Sequence, residues 1–364
     1  MQQFMVYNLV FLRSMSLIFY ISLLLFLWNL FVFYLFRKAK KKRILKGELY
    51  INEGFLMICS LYCGGIGAWL GCRIFEYKAK KANFKVVVAI AFIITSVPIV
   101  HIVHGLTLDR IVVYREMDFY ATAWPEVLDG YRIGFMADFH AITEEDMQEV
   151  VDELNRRELD LLLLGGDFSV NYNYYFHLLD GGDFSNDHYR VVLEIISGVN
   201  AVDGIWGVDG NHDIAYRLFA AKEDNGIGVL DNSGLYIHPD FFLAGVQDLW
   251  NRQPNIAEAT IDANETSFIL LVSHNPDITM IQSTSHLDLI FAGHTHGGHI
   301  TLFGWPFILY AGDITNYGTR FGGGWAESAD GIPVYTSVGI IGDYYMWPRI
   351  FSRPEVIILT MYSE

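Results

Sequence analysis

The apolar residues of this chain fall into two regimes. Three stretches near the N-terminus, Ser14–Phe36, Gly54–Cys72 and Val86–Leu108, contain no Asp, Glu, Lys or Arg. Runs of about 20 such residues match the ~30 Å hydrocarbon core of a bilayer. The first is too long for a cleavable leader and lacks a small-residue cleavage site, so the pattern predicts multi-pass anchoring. Beyond Asp109 the apolar runs shorten. Tyr131–Ala137, Asp160–Leu164, Gly204–Val208, Ser267–Val272 and Leu287–Ala292 read as buried strands. Between the first two, Thr143-Glu144-Glu145-Asp146 forms a capping box, and Met147, Val150, Val151 and Leu154 follow at helical spacing. Alternating strand and helix predicts an α/β sheet covered by helices. The expected division is a helical membrane domain over 1–108 and an α/β domain over 109–364.

Charge divides the chain in the same place. Residues 1–106 hold 13 Lys/Arg against 3 Asp/Glu, and residues 107–364 hold 12 against 38, balances of +10 and −26. An acidic α/β part argues against nucleic acid as a partner, since phosphate backbones are gripped mainly by Lys and Arg. The basic runs lie between apolar spans and read as topology signals, seven Lys/Arg at 37–46 and five at 73–85. Cys59, Cys63 and Cys72 all lie in the second apolar stretch, which leaves no disulfide or thiolate metal site for the α/β part. The pair His101 and His104 has nothing to complete a metal site and reads as interfacial.

Each predicted strand delivers a polar cluster just past its C-terminal end. These are Asp138-Phe139-His140, Gly165-Gly166-Asp167, Gly210-Asn211-His212-Asp213, Ser273-His274-Asn275 and Gly293-His294-Thr295-His296-Gly297-Gly298. One Asp after a strand is usually a turn or a cap. Five such clusters at the edge where α/β folds bind ligands point to one shared site. Carboxylate, amide oxygen and imidazole without thiolate suit divalent Mn, Fe or Zn. Seven such groups are too many for one ion but suit two ions sharing a bridging carboxylate, an arrangement that can clamp a phosphoryl group.

The ordered series Asp-x-His, Gly-Asp, Gly-Asn-His-Asp, His and Gly-His-x-His resembles the calcineurin-like metallophosphoesterase superfamily, in particular its membrane-associated bacterial branch. The likeness runs from Asp109 to Pro354 and includes Ser352-Arg353-Pro354-Glu355. The resemblance implies a four-layer sandwich of two mixed β-sheets flanked by helices, making 109–364 a catalytic domain. It implies that Asp138, His140 and His296 hold one divalent ion, that Asn211, His274 and His294 hold the other, and that Asp167 bridges. His212 would protonate the leaving oxygen, with Asp213 supporting it. The expected reaction is hydrolysis of a phosphodiester or pyrophosphate by in-line attack of a metal-activated hydroxide. A UDP-diacylglucosamine-type pyrophosphatase at the cytosolic face and a catalytically silent membrane binding protein are the alternatives. The branch often carries Gln where this chain has His299, which is either a substrate contact or a surface histidine. Asn171–Asp187 reads as an insertion, either a lid or an ordinary surface loop. The doubled Gly-Gly-Asp-Phe at 165–168 and 181–184 imitates a cyclic-dinucleotide synthase signature, but only the first copy follows a strand.

Near the N-terminus, Gly64-Gly65, Gly67, Gly71, Phe75, Tyr77-Lys78, Lys81 and Phe84 resemble a small bacterial membrane-domain family of unknown function. Both basic flanks of the second apolar stretch fall in the cytoplasm if that stretch is re-entrant. The catalytic domain then lies on the extracytoplasmic side of the plasma membrane, the expected arrangement; if all three stretches cross, it lies in the cytoplasm. The first catalytic strand starts about 22 residues past the third apolar stretch, a tether of at most ~75–80 Å. A membrane lipid or lipid-linked phosphate is therefore the expected substrate. Tyr172, Tyr174, Tyr175, Phe176, Trp305, Phe307 and Tyr310 are the aromatic residues expected to meet it.

Overall fold

The computed structural model describes residues 23–40, 53–75, 82–107, 111–140, 142–168, 188–213, 224–299, 301–306, 314–340 and 349–364. The Asn171–Asp187 insertion, Phe307 and Tyr310 lie outside them. The chain forms two compact units, Met1–Val103 and His104–Glu364.

The first unit is helical, with α1 over 23–40, α2 (Glu53–Cys59), α3 (Gly65–Phe75) and α4 (Ala82–Thr107), the last running into the second unit. A π turn, Ser60–Gly64, joins α2 to α3, and Tyr62 and Cys63 leave helical geometry within it. That break frees backbone groups, which side chains take up: Asn29 Nδ2 donates to the Cys63 carbonyl at 2.9 Å, and Gly65 N–H donates to Thr95 Oγ1 at 3.1 Å. Glycine at 65 is needed for contact, since a Cβ there would lie 1.9 Å from the Ala91 carbonyl oxygen on α4. Val32, Phe36, Leu56, Phe84 and Val88 fill the space between the helices. Among the described residues, Phe55–Phe75 is long and apolar enough to cross a membrane, while Ala82–Val97 is a shorter apolar segment.

The second unit contains two six-stranded sheets. The first has the order β1 (Val113–Ala121), β12 (Glu355–Ser363), β2 (Tyr131–Met136), β3 (Leu161–Leu164), β4 (Ile205–Gly207) and β5 (Gly228–Val229). The second runs β10 (Gly324–Glu327), β11 (Pro333–Thr336), β9 (Leu289–Ala292), β8 (Phe268–Ser273), β7 (Phe241–Gly245) and β6 (Ser233–His238). Both are mixed: β12 is antiparallel to β2, and β6 and β10 are antiparallel to their neighbours. Facing residues of the two sheets interlock, with Ile133, Phe135, Leu161 and Leu163 from one and Leu243, Leu270 and Phe291 from the other. The Phe135 and Phe291 rings stack at 4.8 Å. Helices α5 (Glu144–Asn155) and α6 (His188–Ile196) cover the outer face of the first sheet. The short helix α7 (Ile256–Ala259) and the 3-10 turn Pro276–Met280 cover the second. The layers are thus helix, sheet, sheet, helix.

All five predicted strands form, as β2, β3, β4, β8 and β9. The capping box is present, with Thr143 Oγ1 accepting the Asp146 N–H at 3.0 Å. The central position of β12 lies beyond strand-by-strand reading, because the last strand inserts between β1 and β2 from over 200 residues away.

Candidate metal centre

The parallel strands β2, β3, β4, β8 and β9 all end on one edge, and the chain turns sharply there. Asp138, His140, Asp167, His294, His296 and His299 all have positive φ, between 40° and 72°. Such a conformation is unfavourable for side chains with a Cβ and persists only where the surroundings impose it. Here backbone hydrogen bonds do so. The Asp138 N–H donates to the Gly166 carbonyl at 3.0 Å, and the Phe139 and His140 N–H groups donate to the Asp167 carbonyl at 2.8 and 3.0 Å. The Asp213 carboxylate binds the turns after β3 and β4 together, accepting the N–H groups of Asp167 and Gly210 at 2.8 Å and of Phe168 at 3.0 Å. A Cβ at Gly210 would stand 2.2 Å from Asp167 Oδ1, so only glycine allows these turns to close.

The donors gather in two sets. Asp138, His140, Asp167 and His296 offer ligand atoms within 4.8 Å of one another, and so do Asp167, His274 and His294. In the first set, His140 Nε2 and His296 Nε2 are 3.1 Å apart, with Asp138 Oδ1 at 3.5 Å from the latter. In the second, Asn211 Oδ1 lies 3.0 Å from His274 Nε2 and 2.8 Å from His294 Nδ1. Asp167 Oδ2 faces both, 3.5 Å from His140 Nε2 and 3.2 Å from His274 Nε2.

The tautomers are set from outside. His274 Nδ1 donates to the Gly165 carbonyl at 2.7 Å, which turns the Nε2 lone pair inward. His294 Nε2 donates to the Ile314 carbonyl at 3.0 Å, which aims Nδ1 at Asn211. Neutral rings therefore bring four acceptors together: the Asn211 and Asp167 oxygens and the two imidazole nitrogens. Such a buried cluster is satisfied only by a cation, so the residues fit divalent metal.

The protonation equilibria express the same crowding. Burial pushes the Asp138 carboxyl up to about 7. Burial opposes charge on His274, but Asp167, Asp138 and Asp248 outweigh it and push the imidazole up to about 10. Against its own burial, Asp167 is held well below the usual carboxylate range by His274, His140 and His212. Burial brings His294 down to about 3 and lowers His296 strongly. Without metal, a proton on His274 takes the place of one cation.

His140, Asp167, Asn211, His212, His294, His296 and His299 line one open cavity of about 170 Å³ together with Trp250 and Ile314. The structure brings all the sequence-derived ligands to this one edge. His212 stands at its side with its ring edge-on to His140 at 5.0 Å, and its N–H donates to Asp167 Oδ1 at 2.8 Å. His299 stacks on His296 at 4.6 Å, and burial brings its imidazole down to about 3. Sequence reading missed the loop after β7. Trp250 sets its ring edge-on to His294 at 4.5 Å, and Asn251 Nδ2 donates to the Asn211 carbonyl. Both are held by Asp248, whose Oδ1 accepts their N–H groups at 2.9 Å. The signal was present: Phe241–Gly245 is another apolar run with an Asp just past its end.

A helix-flanked sandwich of two mixed sheets, with Asp, Asn and His at the ends of its parallel strands, defines the metal-dependent phosphoesterase class. Residues 131–298 match the calcineurin-like phosphoesterase family, so this part of the chain is a calcineurin-like phosphoesterase domain. Its activity class is metal-dependent phosphoester hydrolysis. Residues 29–84 match a family of proteins of unknown function, DUF1294. The chain is 26% identical over 253 residues to the uncharacterized metallophosphoesterase YkuE of Bacillus subtilis, covering 66% of this chain and 82% of that one. It is 28% identical over 260 residues to the phosphodiesterase YaeI of Escherichia coli, covering 64% and 82%. Among solved structures, a dimetal phosphatase from Danio rerio aligns with a TM-score of 0.36 and 12% identity, over 58% of this chain and 88% of its own.

Proposed function

We propose that the chain hydrolyses a phosphodiester or pyrophosphate bond in a membrane lipid or lipid-linked substrate. Asp138, His140 and His296 would hold one divalent ion, and Asn211, His274 and His294 the other, with Asp167 shared. The observation that carries this reading is Asp167 Oδ2, a single carboxylate oxygen within 3.5 Å of ligand nitrogens from both sets. Divalent ions, when bound, polarise the phosphoryl oxygens and acidify the attacking water. The remaining steps fall to the chain. His212, beside the cavity and outside both ligand sets, protonates the leaving oxygen. Trp250 and Ile314 flank His294 and fix its ring, one by an edge-on contact and the other through its carbonyl. The backbone clamp through Asp213 fixes Asp167 and Asn211 before substrate arrives.

Membrane association is supported by the apolar helix Phe55–Phe75 and by the helices' outer surface, where Leu24, Phe26, Ile58, Ile74 and Ile93 are more than half exposed. Phe55–Phe75 has the length and composition to cross, but the break at Tyr62 and Cys63 interrupts it and favours a re-entrant second stretch, with the two crossings in the first and third stretches and the catalytic unit on the extracytoplasmic side. A reporter fused after Glu364 that works only in the cytoplasm would reverse that orientation. The balance of −26 over residues 107–364 speaks against nucleic acid. The test of function is purified full-length chain with added Mn²⁺, on a chromogenic diester and on a panel of lipid phosphates in mixed micelles. Metal-dependent cleavage of both supports the proposal. Turnover of soluble nucleotides alone removes the lipid substrate, and no turnover of any ester removes the catalytic reading.

A further inference from the structure

Beside the metal centre, where edge strands β1 and β10 meet, a second cleft of about 390 Å³ opens. Its walls include Arg115, Arg353, Thr301, Gly304, Gly323 and Trp325. Arg115 is half exposed and bonds the buried Glu355 carboxylate through Nε. Arg353 Nη2 donates to the Ile111 carbonyl at 3.1 Å, while its Nε is buried with no hydrogen-bond partner among the described residues. Two cations in one cleft are notable in a segment holding 12 Lys/Arg against 38 Asp/Glu.

The rim of this cleft is apolar and rigid. Leu302 and Trp305 pair as an antiparallel bridge through two backbone hydrogen bonds of 3.0 and 3.1 Å, with Phe303 and Gly304 at the tip in positive φ. This two-residue turn geometry is stiff. It leaves Leu302, Phe303 and Trp305 exposed by 44%, 60% and 52%. A Leu-Phe-Trp tip flanked by arginines has the composition of a membrane-interface element, with aromatic rings at headgroup level and cations against phosphate.

The connection to α4 selects the occupant. From Val86 to Thr107 that helix carries no charged residue. Only three residues lie between Thr107 and Ile111, whose carbonyl Arg353 binds, a span of at most ~14 Å. With α4 in the bilayer, as the proposed function requires, so short a connection lets the arginine cleft reach the headgroups.

We propose that this cleft and the Leu302–Trp305 turn form the docking face of the catalytic unit on a phospholipid surface. The turn enters the interface, and Arg115 and Arg353 meet lipid phosphates. The same segment, His296–Trp305, then places a metal ligand and the membrane contact within ten residues of each other. Docking would thus hold the metal centre beside a lipid-borne phosphate.

The experiment uses full-length chain in nanodiscs of phosphatidylcholine and phosphatidylglycerol. Phe303→Trp adds a fluorophore at the tip, and Ile261→Trp adds one at a distant position that is 77% exposed. Brominated lipids are expected to quench more than half of the emission added at 303, and aqueous iodide more than half of that added at 261. Arg353→Gln in the Phe303→Trp background weakens the lipid quenching. Iodide quenching at 303 equal to that at 261 overturns the proposal, because the turn then sits in water. Quenching at 303 by neither agent also overturns it, because the turn is then covered by protein, either the helical unit or a second copy. Cleavage of a soluble diester stays at the wild-type level in every variant. Failure of the docking is therefore separate from failure of the proposed reaction.

Discussion

Replacing Asp167 by Asn removes one charge and almost no volume. The Oδ1 atom can still accept the His212 N–H, a 2.8 Å contact, and the new amide takes the place of Oδ2, 3.5 Å from His140 Nε2 and 3.2 Å from His274 Nε2. Loss of the Asp167 charge removes the main influence that keeps metal-free His274 protonated, and the amide N–H₂ then donates to neutral imidazole lone pairs, so the metal-free variant keeps its fold. The loss falls on metal. Partners one layer outside the ligands typically change metal affinity 10–100-fold, so ~100-fold is a lower bound for a carboxylate shared by both sets. At free metal about 1,000 times Kd, each bound ion stabilises the native state by ~4.1 kcal/mol, and a site weakened a hundredfold gives only ~1.4 kcal/mol. The difference of ~2.7 kcal/mol corresponds to ~5–11 °C of Tm per ion in a domain of this size. Scanning fluorimetry of chelated protein with and without Mn²⁺, alongside metal analysis, measures it directly. A variant that holds two ions and shows the wild-type metal-dependent rise in Tm would refute the shared-carboxylate reading.

His212→Gln is expected to keep metal and lower kcat by ~10²–10⁴-fold. The loss should shrink for leaving groups that need no proton, and equal losses on good and poor leaving groups would count against an acid role. Asp213→Ala leaves three backbone N–H groups without their acceptor, each costing ~1–3 kcal/mol if it stays buried. Its kcat loss should be independent of the leaving group and accompanied by a lower urea midpoint. The chelated protein should lose stability from pH 7 to 10. Folded His274, pushed up to about 10, holds a proton that the unfolded chain has released above ~6.5, so the slope is negative, up to ~1.4 kcal/mol per pH unit. A flat thermal-melt profile over that range would contradict the environment assigned to His274. Phe135→Ala breaks the inter-sheet stack with Phe291 and should cost ~3–5 kcal/mol by urea unfolding, with metal stoichiometry unchanged.

The site was more legible in the sequence than the fold around it, for a physical reason. Parallel strands buried on both faces are short continuous apolar runs, such as Leu161–Leu164, and the ligands follow them within a few residues. Local pattern therefore carries both strand and ligand. The edge strands carry weaker patterns: β1 reads Val-Tyr-Arg-Glu-Met-Asp-Phe-Tyr-Ala and β10 Gly-Trp-Ala-Glu, each mixing charge with aromatic residues. Their partners are also remote, β1 pairing in parallel with residues 355–363. The contacts of Trp250, Asn251 and Ile314 with the ligands depend on tertiary packing, which no spacing rule encodes. The Asp213 carboxylate is a related case. The residue stands out in the Gly-Asn-His-Asp motif, but its clamp on Asp167, Phe168 and Gly210 becomes visible only once the two turns face each other.

That clamp bears on how the metal centre is kept in place. Six residues at the site hold positive φ, a conformation costing ~1–3 kcal/mol where it is strained. If metal binding supplied the compensation, the turns would depend on metal for their shape. Their hydrogen bonds point elsewhere. The Asp138, Phe139 and His140 N–H groups end on carbonyls of the β3 turn, the Gly293 N–H on the His274 carbonyl, and the His274 and His294 rings on the Gly165 and Ile314 carbonyls. None of these bonds uses an atom that faces the ion. The scaffold is therefore set by sheet ends and backbone, while the inward-facing lone pairs remain for the cations. Such a centre can lose its ions and take them up again without refolding, and its donors are already placed when substrate arrives.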